Sequence, residues 1–567
     1  MPHDYRPQTP SLTDSARLAD HILERIAGRA REAADTVAVQ FVQDASGAIR
    51  SVTWEQLARG AWAARSEFLR RGLAPGDRVL LRLPTGPAYV NALLGALWAG
   101  LVPTTLLGPA NGGSASHREL TDLVEAFRPR AIIVAIGAEQ ELPRMIAAGC
   151  FEHSEDTALP QAPDFGLLRS LCYVQFTSGS TGRPRGLALH WGAIAENLDA
   201  IAHATRMSDR PSRVISWLPM YHDMGLFGGL LTTLHAGCEL VLMDSSVFTA
   251  NPLIWLRIIH EQRAQIAVTP PSALKSCLEL LRRRPRSDLD LSCLSQVLCG
   301  AEPIPPGLLE LFRETLEPYG VRAAALRPVY GMAEATLAVS FAPFGRSAQV
   351  DRVDRREFET AGIAREIPSS SDIPQLEWVS AGRALPGIEL RIADESCKPL
   401  PERRVGRVWI ASPSLYAAAL EGGAFLPREG SWLDTGDLGY LAEGELYITG
   451  RSKDLIIKNG RNYVPDRLEH LANFVDGVRR CAAIGIFDEA KATERVVLMI
   501  ETAARKVNDA QARDRLRLEV RRALTEAGYP VDEICLMPKG AMSLTTSGKV
   551  RRGECRETYL RTWARSG

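Results

Sequence analysis

The run Tyr173-Val174-Gln175-Phe176-Thr177-Ser178-Gly179-Ser180-Thr181-Gly182-Arg183-Pro184-Arg185-Gly186 joins a short strand-like segment to a loop of hydroxyls, glycines and two arginines. Gly179 and Gly182 let backbone N–H groups come close to an anion. The hydroxyls of Thr177, Ser178, Ser180 and Thr181 are donors for phosphate oxygens, and Arg183 and Arg185 add charge-assisted bonds. That chemistry is a grip on a triphosphate. It is not a Walker loop, because no G-x-x-x-x-G-K-[ST] occurs in the chain. A Ser/Gly-rich surface linker has much the same composition, so the loop alone leaves both readings open.

Five further segments follow in order: Ser216-Trp217-Leu218-Pro219-Met220-Tyr221-His222-Asp223-Met224-Gly225, Cys299-Gly300-Ala301-Glu302-Pro303, Val329-Tyr330-Gly331-Met332-Ala333-Glu334-Ala335-Thr336, Asp434-Thr435-Gly436-Asp437-Leu438-Gly439-Tyr440 running on to Gly450-Arg451-Ser452-Lys453-Asp454, and Thr545-Thr546-Ser547-Gly548-Lys549-Val550. Together with the loop they resemble the adenylate-forming superfamily over nearly the whole chain. Within it the W-L-P-x-x-H-D-M-G-L, G-A-E-P and Y-G-x-A-E-A-T-L patterns are most similar to the fatty acyl-AMP ligases. The polar stretch from Ser340 to Ser380 resembles an insertion of that branch; as a charge run it reads equally as a solvated surface loop.

The resemblance implies a set of roles. Thr177, Ser178, Gly179, Ser180, Thr181, Gly182 and Arg185 would hold the phosphates of ATP. Glu334 would ligate Mg2+, a hard cation that takes carboxylate oxygens and keeps several waters; a helix-start acid is the plain alternative. Tyr330 would stack on adenine, with Gly300, Ala301 and Glu302 along the base edge and Gly331, Met332 and Ala333 beside them. Asp437 and Arg451 would meet the ribose or phosphate, although a lone Asp after Thr-Gly is commonly a turn residue. His222 would lie beside the acid's carboxylate or serve as a buried structural histidine. Met224, Leu226, Phe227 and Gly228 would begin an acyl pocket or belong to ordinary core. Lys549 would swing in from the end of the chain and bridge carboxylate and α-phosphate, two anions that repel until a cation is placed between them; by composition it is a tail lysine. The expected activity is formation of an acyl-adenylate from a fatty or other carboxylic acid, then transfer to the phosphopantetheine thiol of an acyl carrier protein. Acyl-CoA synthetase and aryl- or amino-acid adenylation are the neighbouring alternatives.

Four positions depart from the superfamily pattern. Arg185 replaces a lysine, Ala333 a threonine, and Ile457 a lysine that many CoA-using relatives carry. Tyr416-Ala417-Ala418-Ala419 stands where a G-Y-W-type stretch is expected.

The elements that must position these residues are legible in outline. With 567 residues, more than one domain is expected. Lys plus Arg and Asp plus Glu number 67 each, which gives no support for a nucleic-acid or anionic-membrane partner. An apolar fraction of 46% suits a large core. The ten cysteines form no C-x-x-C and read as buried thiols of a reducing compartment. Met1 to Asp14 has no signal-peptide pattern, and the cytoplasm is the default expectation. The apolar stretch from Tyr89 to Leu107 is broken by Asn91 and Pro103, so it reads as a helix, Ala88 to Trp98, and then a strand rather than as a membrane span.

Helical spacing runs from Leu18 to Ala34, and Val37 to Val42 is strand-like. Thr53 with Gln56 predicts a capped helix start. Alternating strand and helix signals predict an α/β fold with mostly parallel sheets. Strands dominate from Val379 to Ile448, implying a β-rich subdomain over about 379–450. The chain is expected to divide into a large N-terminal α/β domain, 1–451, and a small mobile α+β C-terminal domain, 452–567. Its hinge at Ser452-Lys453 is implied by the resemblance.

Overall fold

The computed structural model describes residues 12–106, 117–135, 145–147, 171–177, 185–209, 212–368, 370–502, 509–545 and 549–563. The predicted loop residues Ser178, Gly179, Ser180, Thr181 and Gly182, with Arg183, and the tail residues Thr546, Ser547 and Gly548, lie outside the described residues.

Among the described residues the largest layer is a nine-stranded sheet. Six neighbouring strands, Val37–Val42, Glu239–Met243, Arg213–Ser216, Ile266–Thr269, Gln296–Cys299 and Leu326–Gly331, run parallel. Antiparallel strands Ile49–Thr53 at one side, and Ala338–Phe341 with Arg383–Ala384 at the other, close the edges. The strand interiors are short apolar runs because helices cover both faces. A second parallel sheet holds Val102–Thr105, Arg78–Arg82, Ala131–Val134 and Met145–Ala147. The fold is α/β, as the alternation of signals predicts.

Local sequence chemistry explains the entry elements. Thr53 Oγ1 accepts from the Gln56 N–H while the Gln56 side chain accepts from the Thr53 N–H, a complete capping box on the helix Trp54–Arg70. The first helix begins earlier than its apolar spacing suggests, at Leu12–Glu32, and buries Ile22, Ile26 and Ala30. The interrupted apolar stretch is the buried helix Pro87–Trp98 and the strand Val102–Thr105. Among the described residues no helix is long and apolar enough to cross a membrane.

The β-rich stretch contributes to three sheets. Glu389–Ala393, Gly406–Ala411, Trp432–Ala442 and Glu445–Arg451 form an antiparallel sheet of their own. Arg383–Ala384 edges the large sheet, and the hairpin Ala418–Glu421 with Ala424–Pro427 joins Arg185–His190 and Leu171–Thr177. Strand propensity marks strands but carries no partner address.

The charged stretch after Ser340 is folded rather than a bare solvated loop. Strands Val350–Asp354 and Gln375–Val379 pair around the helix Arg355–Ala361. Val353, Phe358, Leu376 and Trp378 are buried there. Its buried acids are paired: Asp351 accepts from Tyr440 Oη at 2.7 Å and from Arg403 at 3.0 Å, and Asp354 from Arg365 at 2.6 Å.

Residues from Ile456 onward build two apolar clusters on either side of one three-stranded sheet. Ala483, Val496, Leu498 and Ile500 face one way with Leu468, Val520 and Leu524; Ala482, Ile484, Val497 and Met499 face the other with Cys555 and Tyr559. This two-residue alternation with both faces buried explains the unbroken run Val496–Ile500. The charged insertion touches this body. Arg355 donates to the Ala527 carbonyl and, at 2.9 Å, to that of Gly528, with its guanidinium 4.1 Å from the Tyr529 ring centre. Arg467 donates to the Glu377 carbonyl and lies over Trp378.

The nine described cysteines are free. Cys293 is half-buried and Cys397 exposed, which corrects the expectation that all are buried. Cys397 sits in a turn at φ 62°, where the chain follows the strand Glu389–Ala393 out to the surface.

Candidate active site

The predicted motifs follow the carboxyl ends of neighbouring parallel strands. Trp217 to Gly225 follow Arg213–Ser216, Gly300-Ala301-Glu302 follow Gln296–Cys299, and Met332-Ala333-Glu334 follow Leu326–Gly331. In open α/β sheets this rim is where ligands bind. Thr177 and Arg185 enter from a different sheet, as the paired ends of one antiparallel ladder. Asp437 and Arg451 are partners across another.

Tight backbone packing holds the rim. A Cβ on Gly331 would stand 2.0 Å from the Leu337 carbonyl oxygen, and one on Gly300 2.4 Å from that of Val329. Gly331→Ala is therefore expected to cost roughly 1–3 kcal/mol of stability, read as a lowered midpoint in thermal or urea unfolding. Two non-glycine residues adopt left-handed backbone here, Ala301 at φ 71° and Thr336 at φ 67°. A β-branched residue in that region is an outlier that surrounding contacts must hold. Thr336 is fully buried, and its Oγ1 donates to the Ser414 carbonyl at 2.8 Å.

Tyr330 Oη donates to Asp437 Oδ2 at 2.6 Å, and Arg451 Nε stands 3.4 Å from Asp437 Oδ1. Burial raises the Asp437 pKa, with Arg451 and Tyr330 pulling the other way. Arg185 Nη2 donates to Tyr416 Oη at 3.3 Å, and the Tyr416 N–H donates to the Glu334 carbonyl at 2.9 Å. The departure Tyr416-Ala417-Ala418-Ala419 thus supplies a tyrosine that meets the arginine with its phenol and the Glu334 carbonyl with its own N–H. The Glu334 carboxylate accepts no hydrogen bond from another described residue; burial raises its pKa, while Arg185 and Arg451 oppose the shift.

His222 is held neutral, its pKa pushed down to about 4 by burial and then by Lys549. Its Nε2 is buried and has no hydrogen-bond partner among the described residues. Asp223 caps the π-helical turn Met224–Leu231, accepting from the Met224 N–H at 2.7 Å. Burial pushes its carboxyl up to about 6 against the pull of Lys549. Met224, Leu226, Phe227 and Gly228 are all buried in that turn.

Lys549 is exposed as a residue, but its ammonium end is crowded by protein and acted on by nearby charge. Burial of its ammonium end and Arg451 lower its pKa, and Glu302, Asp223 and Asp437 raise it, so charges from three separate motifs act on one ammonium. Its own backbone is pinned to Thr545: the Lys549 N–H donates to Thr545 Oγ1 at 3.0 Å, and the Thr545 N–H to the Lys549 carbonyl at 2.7 Å.

The Glu302 side chain has a partner that its motif does not announce. The Glu302 carboxylate accepts from the Ser272 N–H at 3.1 Å and from Ser272 Oγ at 3.0 Å, at the start of the helix Pro271–Arg283. A carboxylate at a helix N-terminus satisfies orphan donors and the helix dipole. Sequence reading misses Ser272, Tyr416 and Ser414 because their partners lie 30 to more than 70 positions away. Asp223 was visible beside His222, but its burial was not.

Residues 26–418 match the sequence model of the AMP-binding enzyme family. A long-chain-fatty-acid–AMP ligase, FadD26, of Mycobacterium marinum is 31% identical over 91% of this chain and 92% of its own. A protein of Caulobacter vibrioides, whose name of acyl-CoA synthetase is itself provisional, is also 31% identical, over 90% of this chain and 91% of its own. A solved structure from work on fatty acyl-adenylate ligases of E. coli and L. pneumophila superposes with a TM-score of 0.83 at 31% identity, covering 97% of this chain and all of that one. The chain belongs to the AMP-binding enzyme family.

Proposed function

We propose that the protein is a fatty acyl-AMP ligase acting in two steps. In the first, a carboxylate oxygen of a fatty acid attacks the α-phosphorus of ATP; the new P–O bond replaces the bond to the β-phosphate, and pyrophosphate leaves. In the second, the phosphopantetheine thiol of an acyl carrier protein attacks the acyl carbonyl; the C–S bond forms, the C–O bond to AMP breaks, and the thiol proton passes to water.

What carries the reading is the set Tyr330, Asp437 and Arg451 joined on the rim, whose charges act, with that of Asp223, on Lys549 from the far end of the chain. An acid beside His222 and a nucleotide beside Asp437 would present their reacting oxygens to that ammonium. Neutral His222, with Nε2 unpartnered, is suited to donate to a carboxylate there. Tyr330 would face adenine, with Gly300, Ala301 and the Gly331-Met332-Ala333 backbone beneath it. Asp437 would share its carboxylate between Tyr330, Arg451 and ribose. Thr177, Arg185 and the loop between them would take the phosphates.

Glu334 fits a divalent cation: its carboxylate is half-buried, and its pKa is raised. Among the described residues no group of three or more acidic, His or Cys side chains forms a cage. Mg2+ suits such a site, since it takes one carboxylate together with phosphates and waters. It would neutralise charge on the departing pyrophosphate.

We place the boundary between units at Ser452-Lys453, giving 1–451 and 452–567. The separate apolar core after Ile456 supports that division. Ile457 is 52% exposed and cannot offer the cation that many CoA-using relatives place there.

The test is ATP–pyrophosphate exchange across fatty, aryl and amino acids, then thioester formation with holo-carrier protein against CoA. Exchange driven by fatty acids and thioester on the carrier are the expected results. Exchange with amino acids only, or thioester on CoA only, overturns the corresponding half.

A further inference from the structure

Three residues after Lys549, Arg552 opens the helix Arg552–Thr562. Its guanidinium meets three carboxylates. Nε donates to Glu469 Oε1 and Nη2 to Glu469 Oε2, each at 2.7 Å; Nη2 also donates to Asp466 Oδ1 at 2.7 Å. Nη1 donates to Asp454 Oδ2 at 3.0 Å. Glu469 and Asp466 belong to the helix Pro465–Asn473, inside the last apolar core, and Glu469 is further held by the Ala483 N–H at 2.9 Å. A fork filled by one carboxylate already anchors the start of the last helix.

Asp454 is a different kind of partner. It ends the single turn Ser452–Asp454, three residues after Arg451. Arg451 in turn pairs with Asp437. The side chains of Arg552 and Asp454 are only 16% and 15% exposed, so the contact is shielded from water. It joins the two strands of chain that matter: the one ending at Lys549 and the one crossing from Arg451.

We propose that Arg552, through Asp454, is a positioning residue that sets where Lys549 stands relative to Asp437 and Asp223. Glu469 and Asp466 hold Arg552 to its own core, and Asp454 ties that core to the turn Ser452–Asp454 that directly follows Arg451. The inference rests on the proposed adenylation role of Lys549 and extends it.

Asp454→Ala removes the third arm and leaves the Arg552–Glu469 fork, so the fold is retained. Pyrophosphate exchange by the full chain is expected to fall about 10- to 100-fold in kcat, the scale on which small displacements of a reacting group act. KM for ATP should stay within twofold. Thiol transfer from supplied acyl-adenylate should stay within twofold, and Asp454→Glu should recover part of the loss. A second readout needs no activity. Hydrogen exchange at the Thr545, Lys549 and Arg551 amides is expected to quicken several-fold in Asp454→Ala, while the strand Thr493–Thr502 keeps its protection.

Unchanged amide exchange overturns the assignment whatever the kinetics, as does an equal loss in both half-reactions. If the unmodified chain lacks acid-dependent pyrophosphate exchange yet the amides quicken in the variant, the positioning stands and the adenylation reading fails.

Discussion

Lys549→Ala is expected to lower the rate of acyl-adenylate formation by roughly 100- to 1000-fold, the loss of about 3–4 kcal/mol that follows removal of one preorganised electrostatic donor. The reason is specific to this ammonium. Crowding of its ammonium end by protein weakens its hold on the proton, and the charges of Arg451, Glu302, Asp223 and Asp437 act on it. A cation in that place offsets the repulsion between an incoming carboxylate and the α-phosphate as charge develops between them. Transfer of the acyl group from supplied acyl-adenylate to the thiol should be spared, because the adenylate no longer needs two anions brought together. Separate assays of exchange and transfer decide it: equal losses in both would mean that Lys549 acts through the fold rather than at the reacting atoms. Arg185 cannot stand in, since its guanidinium is already engaged with Tyr416 and faces Glu334.

Asp223→Asn is expected to make the protein more stable, by an amount that grows with pH. Burial raises the Asp223 carboxyl from an ordinary 3.8 to about 6, so the folded state holds this proton more tightly than the unfolded chain. The stability that supplies is complete below about pH 4 and is lost as the pH rises through about 6. Asparagine does not titrate and its side-chain oxygen can still cap the Met224 N–H. The advantage of the variant should therefore grow by about 2 kcal/mol between pH 4 and pH 7.

His222 works in the opposite sense. Burial lowers its pKa from 6.5 to about 4, so its contribution is present above about pH 6.5 and lost as the pH falls through 4. In the unaltered chain the two slopes oppose each other; in Asp223→Asn only the histidine slope remains. Urea unfolding across this range reads the difference directly, and an advantage independent of pH would mean that the Asp223 carboxyl is not buried in the folded protein. A charged carboxylate kept at such a cost beside Lys549 fits a site that trades stability for reactivity.

The motifs were legible because each is contiguous. Thr53 and Gln56 could be read as a capping box since both halves lie within four residues, and Val496–Ile500 as a buried strand since its apolar run is unbroken. The same logic explains what stayed hidden. Glu302 was read from its motif alone, and its partner Ser272, 30 residues earlier, left no mark on that motif. The charges after Ser340 left a folded insertion and a solvated run both open; Asp351 and Asp354 are buried because Tyr440 and Arg403 come from beyond the stretch and Arg365 from within it. One ion or one turn carries no mark of its distant partner.

The amino-acid order by itself determined the family, the alternation of strands and helices, and the residue types available for phosphate, cation and carboxylate chemistry. Those depend on local spacing and on backbone requirements such as the absence of a side chain at Gly300 and Gly331. The tertiary structure alone decided that the charges of Asp223 and Asp437 act on Lys549, that Arg552 reaches Asp454, and which carboxyls give up water and hold their protons more tightly. Burial and electrostatic interaction are set by distance through space, and in this chain the residues that share the site are separated by more than 300 positions of sequence between Asp223 and Lys549.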